Sequence, residues 1–403
     1  MKVVEKKYLL PFVLVTSLFA LWGLANNMTD TLLAAFKRIM AMSDTQTSLI
    51  QMAFYGAYFC IALPAALFIR RHSFKSGVIL GLILYAAGAM LFLPAAATES
   101  YAFYLVAIYI LASGCSVLET TSNPYIMQMG SPETATRRLN MAQSFNPLGS
   151  IAGILVSKYF ILSDISLYSV SGTYAALGLL LLAIMGVMLL ARMPEGKDAE
   201  AGSEAGLRAT FGRLLRNRKY AWGVVAQFFY VGAQIGVWSF TIRLVMQELG
   251  YLEAQAATLY LVSIIGFCSS RFLYTALMRF IAPQRLLAIG AALSALCTLV
   301  VVLSGGWTAV VALILVSVFM SLMFPTIYGL ALGSLAADPG DVKIGASGLI
   351  MAILGGALLT PLQGMVSDLT GSINLSYLVP VGCFVVVLAY ALCVSARNGR
   401  AHY

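Results

Sequence analysis

About twelve stretches of this chain run for roughly twenty residues with hardly a charged side chain, the length an α-helix needs to cross the roughly 30 Å hydrocarbon core of a bilayer. They lie near Tyr8 to Phe36, Gln46 to Phe68, Ser76 to Pro94, Tyr101 to Gln128, Met141 to Leu162, Thr173 to Ala191, Tyr220 to Val245, Ala254 to Leu277, Leu286 to Leu303, Thr308 to Leu335, Ile344 to Asp368 and Leu375 to Ser395. In lipid each backbone amide and carbonyl must find its partner inside the protein, so such a series folds as a bundle of spanning helices. Composition agrees: of 403 residues, 60% are hydrophobic and 10% charged, against about a quarter charged in soluble domains. The mean hydropathy is +0.89. The expected class is an all-α membrane protein of twelve transmembrane helices, with the lipid bilayer as its first partner.

Orientation follows from Lys and Arg. With a cytoplasmic amino terminus and twelve spans, the inner loops collect Lys2, Lys6, Lys7, Arg70, Arg71, Lys75, Arg137, Arg138, the Arg192 to Lys219 cluster, Arg279, Arg285, Lys343, Arg397 and Arg400. Lys37, Arg38 and Lys158 fall on the other side. The positive-inside rule places both termini in the cytoplasm. It also accounts for the net charge of +9 without nucleic acid, since the basic residues are scattered over short loops and no soluble domain is left to hold a duplex. A cleaved signal peptide is the rival reading of Lys2 to Ala25, but no small-residue cleavage site stands out and the apolar run continues into polar residues that suit a cavity lining.

Pro194 to Asn217 is the longest polar segment and divides six spans from six. The expected organisation is residues 1–192 as an amino-terminal six-helix bundle, 193–218 as a cytoplasmic linker and 219–403 as a carboxyl-terminal six-helix bundle. Weak internal symmetry supports it. The turns FIRRHSFKSGVILG and MRFIAPQRLLAIG each open a Gly-bearing helix after a basic loop, at corresponding places in the two halves. Parallel six-span halves with a midplane site are the major facilitator architecture. The six cysteines all fall inside spans without CxxC spacing and read as small apolar packing residues. His72 and His402 lie in a loop and the tail, so neither a histidine triad nor a histidine metal site has material. No metal and no cofactor is implied, and nothing implies an oligomer.

The specific information lies in polar side chains inside the spans. Asp30 and Glu119 are carboxylates at membrane depth, where a charge costs at least about 2.5 to 3.5 kcal/mol, more than ordinary helix packing returns. Such groups commonly mark proton or substrate pathways. Each belongs to a stripe. Asn26 and Asp30 are i and i+4, with Asn27 beside them; Glu119, Ser122 and Asn123 repeat the spacing in span four; Gln143, Asn146 and Ser150 follow in span five. The second half has Gln227, Tyr230, Gln234 and Trp238 on one face of span seven, and Phe324, Thr326 and Tyr328 around Pro325 in span ten. A single intramembrane Asn, Gln or Ser can simply bond a neighbouring helix for about 1 kcal/mol. A stripe that includes a carboxylate asks for more. Arg243 and Arg271 fit side chains snorkelling to an interface, and Arg271 reads as structural. Trp238 suits an interface anchor or sugar stacking, and its place on the stripe favours stacking. Asp368 reads as a solvated helix end.

Amides, carboxylates and aromatics without an inward basic cluster suit a neutral, polyhydroxylated ligand of hexose size: hydroxyls pair with amide and carboxylate oxygens while the apolar ring face packs on Trp, Tyr or Phe. A channel would need a charged ring around a hydrated pore, and an enzyme a catalytic constellation; neither is present in the sequence. A transporter, or a non-transporting sugar sensor, remains.

WGLANNMTDTLL, SVLETTSNPYIMQMG, RRLNMAQSFNPLGS, AQFFYVGAQIGVWSFTIR, FMSLMFPTIYGLAL and GLIMAILGGALLTPLQGMVSD together resemble the L-fucose:proton symporter family of the major facilitator superfamily, over nearly the whole chain. The resemblance implies alternating access in a bacterial inner membrane, with a sugar and protons as partners and no enzymatic step. It matches Asp30 to the span one acid of proton coupling, Glu119 to the span four acid of sugar and proton binding, and Asn146 to a sugar-contacting amide. Gln143, Gln227 and Trp238 fall on cavity-lining positions, and Asn26, Asn123, Tyr230 and Gln234 complete the expected substrate set. The chain departs from the family pattern at Pro147, where Ser is usual after the Asn, at Thr29, where a second Asn is usual, and at Phe324, where Tyr is usual. Related family members carry glucose, galactose or other hexoses, so those sugars are the alternative substrates.

Overall fold

The computed structural model describes residues 3–40, 44–161, 166–193, 207–335 and 339–399, of which 29–38, 44–48, 158, 253–254, 339 and 397–399 by backbone alone. Spans one and two are single helices, α1 (Leu9–Ile39) and α2 (Asp44–Arg71), and span three is α3 (Phe74–Met90) continued by α4 (Phe92–Ala97). Span four is α5 (Tyr101–Gln128), and span five is α6 (Ala135–Gln143), α7 (Asn146–Val156) and a π-helical turn over Ser157–Ile161. Span six is α8 (Leu167–Leu190); a short helix, α9 (Leu207–Arg216), precedes span seven, α10 (Arg218–Leu249). Spans eight and nine are α11 (Glu253–Leu277) and α12 (Pro283–Leu303). The last three spans are all broken: α13 (Gly306–Met320) with α14 (Met323–Gly333), α15 (Pro339–Met351) with α16 (Leu354–Thr370), and α17 (Ile373–Ser376) with α18 (Leu378–Gly399). The fold is the twelve-helix, all-α one expected.

Among the described residues, eleven helical stretches are long and apolar enough to cross a membrane. Span five is the exception: its first segment, ATRRLNMAQ, carries two arginines and is separated from α7 by a break at Ser144–Phe145. It also begins at Ala135, six residues before the expected Met141, so Arg137 and Arg138 lie inside a helix and not in a loop. Arg138 is fully buried. Four of the breaks have a common cause. Proline lacks the amide that would bond the carbonyl four residues back, and Pro94, Pro147, Pro325 and Pro380 each stand within the first three residues of the helix that resumes after a break. In span eleven the break at 352–353 is followed by Gly355 and Gly356 instead. The linker also differs from the expectation of a plain polar segment: LRATFGRLLR forms α9, with Leu207 and Leu215 exposed and Thr210 and Leu214 buried.

The chain forms two compact units. The first holds residues 1–135, 145–211 and 336–351; the second holds 136–144, 212–335 and 352–403. Each unit therefore takes one short helix from the other sequence half, α15 in the first and α6 in the second.

In the first unit α5 is the central helix, packed by α2 and α3. A Cβ added at Gly88 would lie 2.3 Å from the Leu111 amide, and one at Gly114 2.2 Å from that of Tyr85. This backbone contact leaves α5 buried without interruption from Leu111 to Ile126. Helix α15 packs on α2, where Lys343 Nζ donates to Ile69 O (3.4 Å) at the helix end and lies 5.0 Å from the Phe74 ring centre. Lys343, expected in a loop, is thus buried. A cation suits the negative end of a helix, and Lys75 does the same for α8 by donating to Leu189 O and Ala191 O. In the second unit α10 packs against α11, α13, α14, α16 and α18. Gly355 and Gly232 admit the close α10–α16 approach, a Cβ at Gly355 falling 2.0 Å from Phe228 O. All six cysteines are free.

Candidate functional site

Span one meets span five backbone to backbone. A Cβ at Gly149 would stand 1.7 Å from Ala20 O, one at Gly23 2.2 Å from Asn146 O and one at Gly153 2.6 Å from Leu24 O, so small residues one turn apart on α7 let it lie directly on α1. That approach fixes the polar stripe. Asn146 Nδ2 donates to Phe19 O (3.2 Å) and Ser150 Oγ to Gly23 O (3.4 Å). Asn26, on the same helix pair, keeps its Oδ1 buried without a hydrogen-bond partner. Asp30 lies on α1, and its side chain is outside the described residues.

On α5 Glu119 is 6% exposed, and Thr120, Thr121, Ser122 and Asn123 after it are fully buried. Pro124 removes the amide that would bond the Thr120 carbonyl. Thr120 Oγ1 and Ser122 Oγ also lack partners. No cation among the described residues forms an ion pair with Glu119. Tyr58 of α2, itself buried, is near enough to the carboxyl to interact with it. Tyr58 was not anticipated, since a lone Tyr in an apolar span carries no pattern.

The second unit carries its own polar face on α10. Gln227 is fully buried with both its Oε1 and Nε2 unpartnered. Tyr230, one turn on, is fully buried with its ring centre 6.4 Å from that of Phe324. Gln234 and Trp238 are half-buried. Trp238 is anchored, its Nε1 donating to Ser317 Oγ (3.2 Å) and its ring meeting Phe267 edge to face at 4.9 Å. Phe324 stacks on Tyr328, and Thr326 Oγ1 accepts from Asn140 Nδ2 (3.2 Å). Asn140 is a site neighbour the stripes did not include, because its partner lies 186 positions away. Gln143 ends α6, buried, and its carbonyl accepts from Arg271 Nη1 at 2.8 Å.

Arg271 takes the structural role and does not snorkel: it is 3% exposed and donates to two backbone carbonyls. Arg243 is exposed and lies 5.5 Å from the Phe240 ring centre. Asp368 is exposed, as a helix end should be.

Chemically, each unit holds buried oxygens and amides without protein partners, and such groups are costly unless water or a ligand meets them. A polyol offers both donors and acceptors. Among the described residues no group of three or more His, Cys, Asp or Glu could hold a metal ion.

The family model described as Major Facilitator Superfamily matches residues 13–342. The L-fucose-proton symporter of Haemophilus influenzae is 44% identical over 96% of this chain and 97% of its own length. A glucose/galactose transporter of Brucella abortus is 33% identical over 96% of this chain and 95% of its own. The crystal structure of FucP, the fucose:proton symporter of E. coli, in the outward conformation superposes with a TM-score of 0.89 at 35% identity, covering 96% of this chain and 99% of that one. The chain belongs to the Major Facilitator Superfamily, and within it to the family of the L-fucose:proton symporters.

Proposed function

We propose that the protein carries L-fucose into the cell together with a proton, by alternating access and without making or breaking a covalent bond. The observation that carries this reading is Glu119, a buried carboxylate with no ion-pair partner among the described residues, in a chain 44% identical to an L-fucose-proton symporter. Low dielectric disfavours a charged carboxylate. Asp30 takes a proton from the outer side and releases it inward; Glu119 accepts hydrogen bonds from sugar hydroxyls and exchanges protons with Asp30 through the bound sugar. Asn26, Asn123, Gln143, Asn146, Gln227, Tyr230 and Gln234 bond the hydroxyls, and Trp238 packs the apolar ring face. The six-span halves, 1–192 and 219–403, are joined by the 193–218 linker. Both termini face the cytoplasm from a bacterial inner membrane, as the distribution of Lys and Arg supports.

The similarity to a glucose/galactose transporter favours a second reading, in which the hexose differs while the coupling stays the same. Uptake of radiolabelled L-fucose into proteoliposomes, competed by unlabelled glucose and galactose, separates the two. The first reading predicts that only unlabelled L-fucose competes strongly.

A further inference from the structure

Each proline at a helix break leaves a carbonyl without its helical donor, and those of spans five and ten share one solution. Pro147 has no amide for Gln143 O, and Pro325 has none for Ser321 O. A buried backbone carbonyl left alone is costly. Both are met by the same side chain. Arg271 of α11 donates Nη1 to Gln143 O and Nε to Ser321 O, each at 2.8 Å, with its guanidinium carbon 4.8 Å from the Phe267 ring centre. Its neighbour Ser270 adds an Oγ bond to Ser321 Oγ at 2.8 Å. The charge has no carboxylate partner among the described residues. It is balanced by the carbonyl ends of α6 and α13, where a cation is favoured. The planar fork of Arg can serve two acceptors in fixed geometry, which a Lys ammonium cannot do as rigidly.

The place matters as much as the bonds. The chain leaves the second unit after Ser144 and enters the first at Phe145, inside the span five break. Asn146, the candidate sugar amide, is the first residue of the resumed helix.

We propose that Arg271 is a positioning residue for transport: one guanidinium replaces the two amides that Pro147 and Pro325 delete, ties the breaks of spans five and ten together, and so sets the hinge at Ser144–Phe145. The proposal rests on the symport reading for its transport consequence and on geometry alone for the tie. Loss of the tie leaves the hinge undefined, so the rate of exchange falls further than equilibrium binding does.

The test is a cycle of Arg271→Met, Pro147→Ala and the double variant, with Pro124→Ala, a proline of α5 in the first unit, as control in the Arg271→Met background. Melting temperature in detergent needs no sugar and tests the tie by itself; L-fucose counterflow and equilibrium binding test the hinge. Arg271→Met is expected to melt lower and to lose about tenfold in exchange rate, with sugar affinity within about twofold of wild type. Adding Pro147→Ala restores an amide to Gln143 O and recovers part of both losses, whereas Pro124→Ala recovers neither. Additive effects of Arg271→Met and Pro147→Ala would overturn the tie. An equal loss of rate and affinity would overturn the positioning role. If Arg271→Met yields no folded protein, recovery of folded protein in Arg271→Met/Pro147→Ala/Pro325→Ala supports the tie, and no recovery overturns it. A wild type inert toward L-fucose contradicts the symport reading while leaving the melting cycle to judge the tie.

Discussion

Replacing Glu119 by Gln keeps the side chain's size and swaps one carboxylate oxygen for an amide donor. In the sugar-free protein the change removes a carboxylate that is 6% exposed and paired with no cation among the described residues, so melting temperature is expected to hold or rise. Sugar binding should respond in the opposite sense. A hydrogen bond to a charged group contributes about 1.5 to 3 kcal/mol and a neutral one about 0.5 to 1.5. The exchange therefore costs about 1 to 2 kcal/mol per sugar contact, or about five- to thirtyfold in Kd. Calorimetric titration of L-fucose into the purified variant at one acidic and one alkaline pH measures it. The wild-type affinity is expected to depend on pH more steeply than the variant's. Wild-type affinity at both pH values would remove Glu119 from the sugar site and leave it only a proton carrier.

Three further outcomes are expected. Asp30→Asn should retain sugar exchange but lose uphill accumulation, because an amide mimics the protonated acid and carries no proton; normal gradient-driven uptake in the variant would rule out Asp30 as the coupling group. Gln227→Leu removes two unpartnered buried polar atoms, so its melting temperature should not fall while L-fucose affinity drops by about 0.5 to 1.5 kcal/mol; a lower melting temperature with unchanged affinity would assign Gln227 to packing. Gly149→Ala puts a Cβ 1.7 Å from Ala20 O and should cost about 1 to 3 kcal/mol, whereas Gly186→Ala, with nothing within 4 Å, should be neutral or slightly stabilising; equal melting temperatures would contradict the α1–α7 backbone contact.

The spans were legible because lipid imposes one demand on every residue of a spanning helix, and uncharged runs record it locally. Glu119 and the Gln227 to Trp238 stripe were legible for the converse reason, as exceptions to that demand at helical spacing. The breaks were half legible. Pro147 and Pro325 stand in plain view, but the donor that meets their orphaned carbonyls comes from Arg271, 128 positions from Gln143 and 50 from Ser321. No local pattern encodes such a pairing. The inclusion of residues 136–144 in the second unit was hidden for the same reason, since contacts such as Asn140 with Thr326 depend on tertiary packing. Helix α9 was missed because its apolar spacing sits in a segment whose charge suggested a solvated linker. Asn146 shows the limit of pattern in the other direction: spacing placed it on a polar face, while its bond to Phe19 O shows that it also holds spans one and five together.

The central claim is that sugar and proton cross together, and the most direct test reads the proton when only sugar is supplied. Proteoliposomes loaded with a pH-sensitive dye, clamped at zero membrane potential and with equal pH on both sides, receive L-fucose outside. The account predicts acidification of the lumen on sugar addition, abolished in Asp30→Asn. L-fucose entry at the normal rate without any change of internal pH would contradict it.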